Sequence, residues 1–264
     1  MFDSVPDLSR ARILISNDDG LHGPGLQVLI RIARQLSNDV WVVVPETEQS
    51  GAGHSLTLHH PLRIRDVDPD QHLYAVDGTP TDSVLLAINA IMKDRKPDLV
   101  LSGVNRGANL ADDVTYSGTV AAAMEGTLLG VPSIAMSQVF TNGDPVRWET
   151  AEHFAPDIIR KLVAHGWGRN VLMNVNFPDL APEDVTGIRV TNQGRRKIGD
   201  GLIERHDPRG RPYIWIGPQR SEHTGRPGSD LEAIEQGAIS VTPLCIDLTE
   251  QETLATLQQK VFAS

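Results

Sequence analysis

The chain has 264 residues, 40% hydrophobic and 22% charged, which suits one large α/β domain or a core domain carrying a sizeable insertion. Its 24 Lys and Arg stand against 34 Asp and Glu, and a net charge of -10 excludes a general nucleic-acid coat, while a small phosphorylated ligand can still bind where a cation or a helix terminus offsets the field. No apolar stretch approaches the roughly 18 residues of a membrane span, and the polar, acidic N-terminus does not read as a signal peptide. The single Cys245 has no intrachain partner, so a cytoplasmic location is expected, with Cys245 as a buried thiol in the apolar run 241–248.

In chain order, residues 12–16 (RILIS) predict a buried parallel strand running into Asn17-Asp18-Asp19-Gly20. Leu26, Leu29, Ile30, Ala33 and Leu36 share one helical stripe, and Pro24 suits the first turn because no intrahelical bond needs its nitrogen. Residues 40–44 (VWVVV) complete a βαβ unit. In 55–76 the pieces SLTL, LRIR and LYAV alternate apolar and polar residues, as a half-exposed antiparallel hairpin inserted in the core would. The α/β rhythm then returns: a helix over 81–92, a strand over 98–101, a loop over 102–117, a small-residue helix over 119–129 and a strand over 132–137.

Beyond residue 140 a helix over 149–165 should kink or restart at Pro156, before a strand over 171–175. Residues 187–230, rich in Gly, Arg and Pro, read as an extended arm with one strand at 213–216. Such an arm needs a neighbour to cover its apolar side. A C-terminal helix comes last, with a capping box from Thr249 to Glu252 and a stripe of Leu254, Leu257 and Val261. The expected organisation is a three-layer α/β core over 1–185, with a hairpin insertion at about 55–76, and an arm, strand and helix over 186–264 that serve oligomerisation.

The chemistry gathers at strand ends, where open parallel sheets bind ligands. Asp18 and Asp19 repel each other, and a hard divalent ion neutralises such a pair most directly. The alternative is an Asn-Asp-Asp-Gly turn whose acids cap backbone amides. The second strand delivers Gln49-Ser50-Gly51-Ala52-Gly53, a polar loop that ends at His54, to which no role is given. After the strand at 98–101, Asn105 and Asn109 offer oxygen ligands or amide donors. Ser117-Gly118-Thr119 opens a helix whose unpaired N–H groups can cradle a phosphate, although an ordinary Ser/Thr N-cap has the same look.

Several motifs in order carry a family resemblance: Ser16-Asn17-Asp18-Asp19-Gly20, Gln49-Ser50-Gly51 with Ser55-Leu56-Thr57, Gly78-Thr79-Pro80-Thr81-Asp82, Ser102-Gly103-Val104-Asn105, and Tyr116-Ser117-Gly118-Thr119-Val120-Ala121-Ala122-Ala123-Met124-Glu125-Gly126. The chain resembles the SurE survival-protein family of nucleotidases over nearly its whole length, residues 1 to about 10 excepted. The resemblance implies a Rossmann-like core and a dimer or tetramer built by exchanging the arm and C-terminal helix. It also implies one Mg²⁺ or Mn²⁺ held by Asp18, Asp19, Ser50 and Asn105, and hydrolysis of 5'- and 3'-nucleoside monophosphates, with polyphosphate as a further substrate of some members.

The mechanism expected from these residues has Asn109, Ser117, Gly118 and Thr119 holding phosphate oxygens while water attacks in line. The proton goes to Asp18 or Asp19, or is lost to solvent from a metal-bound water. Competing readings are an aspartyl-phosphate enzyme, a non-catalytic nucleotide binder and an oligomeric scaffold. The second is disfavoured because acids stand where a G-x-G-x-x-G turn would approach a pyrophosphate.

Overall fold

The computed structural model describes residues 1–2, 7–141, 143–196, 202–216 and 226–262. Short segments, apolar at the centre of the sheet and more polar at its edges, supply its strands: β1 (Arg12–Ser16), β2 (Asp39–Pro45), β3 (Ile64–Asp68), β4 (Leu73–Val76), β5 (Leu99–Arg106), β6 (Ser133–Gln138), β7 (Val171–Phe177), β8 (Gly187–Val190) and, nearer the C-terminus, β11 (Ala238–Cys245). These nine strands form one mixed sheet in the order β3-β4-β2-β1-β5-β6-β7-β11-β8. Only the β3/β4 and β7/β11 pairs are antiparallel. A separate antiparallel hairpin joins β9 (Leu202–His206) to β10 (Pro212–Ile216).

Side chains alternate across β1 and sort the core into two layers. Ile13 and Ile15 pack with Leu26, Leu29 and Ile32 of α1 (Pro24–Arg34) and with Ile158 and Ile159 of α4 (Trp148–His165). On the other face Leu14 meets Val84 of α2 (Pro80–Leu86) and Ala122 of α3 (Gly118–Leu128). The result is a three-layer α/β structure, as expected. Two short helices complete it, α5 (Asp230–Glu235) and α6 (Gln251–Thr256). None of the described helices is long and apolar enough to cross a membrane.

Several elements differ from the sequence reading. The strand expected to stop at residue 101 runs on to Arg106, because β6 goes on pairing with it at Asn105 and Arg106 beyond a register shift. The inserted hairpin is narrower than 55–76 and is not an excursion: β4 pairs parallel with β2, which places it inside the main sheet. The SLTL piece is irregular, held by Thr79 Oγ1 donating to Ser55 O and by Thr57 N donating to Asp82.

Pro156 neither restarts nor divides α4, which is a single 18-residue helix with Pro156 buried in it. Past residue 186 the arm region contains two strands besides the one expected, and β8 and β11 belong to the nine-stranded sheet, so the sheet crosses the boundary drawn there. Cys245 is exposed, not buried, since β11 reaches its end there. The C-terminal helix is capped by Glu250, whose carboxylate accepts from the N–H groups of Glu252 and Thr253, and not by Thr249. A negative group at a helix start has the field of the backbone dipoles in its favour.

Candidate active site

β1 lies between β2 and β5, so the loops after β1 and β5 open onto one crevice at the switch in strand order. After Ser16 the chain turns sharply: Asn17 Nδ2 donates to Gly20 O at 2.9 Å, and Gly20 takes φ 80°. A Cβ at residue 20 would sit 2.8 Å from the Thr47 backbone, so only glycine lets this turn pass the next loop. The turn sends its two acids into different surroundings. Asp18 is 4% exposed and accepts a 2.5 Å hydrogen bond from Thr119 Oγ1. Asp19 is half-buried, and its Oδ2 accepts from the Arg106 N–H at 3.3 Å.

The loop after β2, the end of β5 and the stretch from β5 to α3 close the site. Ser50 is exposed beside Glu48, to which its hydroxyl donates at 2.9 Å. Asn105 turns its Nδ2 toward Gly107 O, at 2.9 Å, so its Oδ1 has no protein donor among the described residues. Asn109 is fixed from β6 and β7: its Nδ2 donates to Ser137 Oγ at 2.8 Å, its N–H donates to Asn176 Oδ1 at 2.9 Å, and its carbonyl accepts from the side-chain amides of Asn174 and Asn176. The start of α3 is pressed against the acid pair, since a Cβ on Gly118 would lie 2.7 Å from that of Asp18.

Two adjoining clefts result. The smaller, of about 210 Å³, is lined among others by Asp18, Ser50, Asn105, Asn109 and Ser117, which is most of the set expected from sequence. The larger, of about 600 Å³, is lined among others by Asp19, His22, Glu48, Arg106 and Phe140. Ser50 and Arg106 border both. Gly118 and Thr119 are the exceptions among the expected residues: neither lines a cleft, and Thr119 is fully buried, with its hydroxyl holding Asp18 instead of facing the cleft. Ser117 Oγ accepts from Val120 N at 3.0 Å, so the N-cap reading and the cleft-lining reading hold together.

Sequence reasoning missed part of this. Arg106 stands between Asn105 and Asn109, for which alone that stretch was noted, and its guanidinium lies 4.9 Å over the Phe140 ring. Phe140 has no local signal at all. His54, given no role, is exposed, and its Nε2 donates to Glu125 Oε2 at 2.9 Å.

The electrostatics fit a cation. Burial pushes the Asp18 carboxyl above the usual range, against the hydrogen bonds from Thr119. Burial and then the neighbouring Asp18 charge raise Asp19 to about 6, with Glu48 adding to it and Arg106 opposing it. No three His, Cys, Asp or Glu side chains converge as a metal site among the described residues. A cation here would rest on two carboxylates completed by the neutral oxygens of Ser50 and Asn105, an all-oxygen set that suits a hard divalent ion.

Comparison with known proteins gives one consistent result. The family described as survival protein SurE matches residues 13–200. A protein of Paramagnetospirillum magneticum named 5'-nucleotidase SurE is 64% identical over 257 residues, which cover 97% of this chain and 98% of its own. A Rhodospirillum rubrum protein of the same name is 58% identical over 260 residues, covering 97% and 98%. The crystal structure of the SurE protein from Aquifex aeolicus superposes with a TM-score of 0.80 at 41% identity, over 93% of this chain and 98% of that one.

Proposed function

The chain belongs to the SurE survival-protein family and is a 5'-nucleotidase of the SurE type, and from that premise we propose that it hydrolyses 5'- and 3'-nucleoside monophosphates with one Mg²⁺ or Mn²⁺ held by Asp18, Asp19, Ser50 and Asn105. The observation that carries this reading is the acid pair. Asp18 and Asp19 are drawn out of water side by side, with Glu48 adding to the repulsion, and among the described residues Arg106 is the positive group that opposes it at Asp19. Two carboxylates in that state are stabilised by a divalent ion far more than by one guanidinium at a cleft mouth.

When bound, the cation supplies a Lewis acid for a phosphoryl oxygen and lowers the pKa of the attacking water. Asn109 and Ser117, on the wall of the same cleft, hold the remaining phosphoryl oxygens as charge builds in the transition state. Gly118 brings the start of α3 within reach of Asp18, and Thr119 keeps that carboxylate in place. Asp18 is thus an anchor. Asp19, beside the larger cleft, completes the carboxylate pair, and the proton of the attacking water passes to it or to solvent.

The larger cleft has room for the nucleoside, or for further phosphates of a polyphosphate chain. Assembly belongs to the same reading: the β9/β10 hairpin and α6 are exchanged between subunits of a dimer or tetramer. Supporting it, Leu202, Ile214, Trp215 and Ile216 are all more than 60% exposed in the isolated chain.

The test is phosphate release from a panel of 5'- and 3'-nucleotides, an aryl phosphate and polyphosphate. Stripping the protein with chelator should abolish release, and Mg²⁺ or Mn²⁺ should restore it. Undiminished turnover in chelator would remove the cation from the reaction. Cleavage of the aryl ester alone would remove the nucleotides.

A further inference from the structure

The segment that carries Ser50 is tied down on both sides of it. Upstream, Gln49 N donates to Asp18 O at 2.8 Å, which fastens the loop to the end of β1. Downstream, Gly53 N donates to Tyr116 O at 3.1 Å, and His54 Nε2 donates to Glu125 Oε2 at 2.9 Å. The last two partners belong to the approach to α3 and to α3 itself, the helix whose first residues pack on Asp18. Ser50 makes no comparable contact with the core, and its only side-chain hydrogen bond among the described residues is to Glu48 in the same loop. Its place relative to Asp18 is set by the anchors.

Glu125 gives the downstream anchor its strength. It is 7% exposed, and His54 is its one side-chain hydrogen-bond partner among the described residues. A carboxylate that far out of water binds a donor tightly, because leaving it unpaired is costly. Between the two anchors lie Gly51 and Gly53, with φ of 80° and 57°. A Cβ on Gly51 would touch nothing within 4 Å, so the loop has no packing to fix it at Gly51, whereas at Gly53 it lies against the Thr115 backbone. Without the His54 bond, the downstream side would keep the Gly53–Tyr116 backbone bond and, one residue beyond His54, the bond from Thr79 Oγ1 to Ser55 O.

We propose that His54 is a positioning residue for the active site: by bonding Glu125 on α3 it closes the Ser50 loop over the crevice and holds the Ser50 hydroxyl where the cation is bound. This rests on the assignment of Ser50 as a ligand. His54 touches neither substrate nor cation, and acts through the loop. The pair thereby couples the loop after β2 to the helix that bears Ser117 and Gly118, so two walls of the smaller cleft keep a constant spacing.

The experiment is titration of full-length, metal-free protein with Mn²⁺, following free Mn²⁺ by its paramagnetic resonance, with thermal melting and phosphate release measured on the same samples. His54→Ala should weaken Mn²⁺ binding about tenfold, as loss of a supporting partner of a ligand typically does, and should also lower the melting temperature, because Glu125 is left buried without its partner. His54→Gln, whose amide can still donate to Glu125, should restore most of the affinity. Ser50→Ala should weaken binding by itself, and His54→Ala added to it should weaken it little further. A His54→Ala protein that melts lower yet binds Mn²⁺ as the wild type does overturns the proposal, because the bond then serves only the fold. Wild-type protein that takes up no Mn²⁺ removes the underlying assignment as well, whereas a cation-binding wild type with an indifferent His54→Ala removes this proposal alone.

Discussion

The crevice at the end of β1 and the β9/β10 hairpin break the usual rule of burial in opposite senses. At the crevice, polar groups are inside: Ser16, Asn17, Asp18, Ser102, Asn109, Thr119, Asn174 and Asn176 are all buried. The hydroxyls of Ser16 and Ser102 and the Asn17 Oδ1 have no hydrogen-bond partner among the described residues. At the hairpin, apolar groups are outside, and every residue of both strands is exposed. Buried polar groups cost stability and persist where chemistry needs them. Exposed apolar strands persist where another surface covers them. Mutations in the first region should therefore alter rate and cation binding with little change in assembly, and mutations in the second should do the reverse.

The strongest way to break that contrast is Asp18→Asn. It should lower kcat about 10³-fold by removing a charge that the transition state needs, while melting temperature stays level or rises because the ionised carboxylate is disfavoured by burial. A variant that turns over normally would take Asp18 out of the mechanism. Next is Gly118→Ala, whose methyl would meet the Asp18 side chain at 2.7 Å. Shifting that carboxylate should cost about 10²-fold in kcat/KM, and wild-type kinetics would show that α3 can yield. Thr119→Val keeps the shape and deletes the hydroxyl that holds Asp18. About a tenfold fall in kcat/KM is expected, read against an unchanged far-ultraviolet circular dichroism spectrum.

If the hairpin is exchanged as proposed, Ile214→Lys with Trp215→Ser should give a monomer in light scattering, with kcat changed less than about threefold, since neither residue lines the two clefts. A large rate loss in the monomer would mean that a neighbouring subunit completes the crevice. The smallest effect concerns pH. Asp19 titrates at about 6 in the folded chain against 3.8 for a free carboxyl. Between those values the native state holds more protons than the unfolded one, so metal-free protein should lose stability as pH rises from about 4 to 6. Asp19→Asn should flatten that slope in thermal melts taken in chelator.

The site was legible where composition itself is unusual. Adjacent acids at a strand end, a Ser-Gly-Thr helix start and two Asn residues after a third strand are chemically odd enough to mark a crevice, and Asp18, Ser50, Asn105, Asn109 and Ser117 do line one cleft. Thr119 was misplaced because a hydroxyl at a helix start can face outward or inward, and only the neighbouring Asp18 decides which. Phe140 was invisible, and Glu125, though part of a quoted motif, gave no sign of its bond to His54. Their partners, Arg106 and His54, lie tens of residues away in sequence, and nothing local distinguishes them from ordinary loop and helix residues.

Length and period of the apolar runs determined the alternation of strands and helices, because a buried strand needs about five apolar residues and a helix needs a stripe. They could not determine membership of the sheet. β8, from the stretch read as an arm, and β11, which lies C-terminal to that stretch, add to the edge of the nine-stranded sheet beyond β7, and β4 joins at the other side, because strand pairing satisfies backbone groups over any sequence distance. The sequence thus pointed to polar residues that the fold gathers at one crevice. Only tertiary structure decided which carboxylate is buried against Thr119 and which opens to the larger cleft, since that depends on what each loop meets when the strand ends come together.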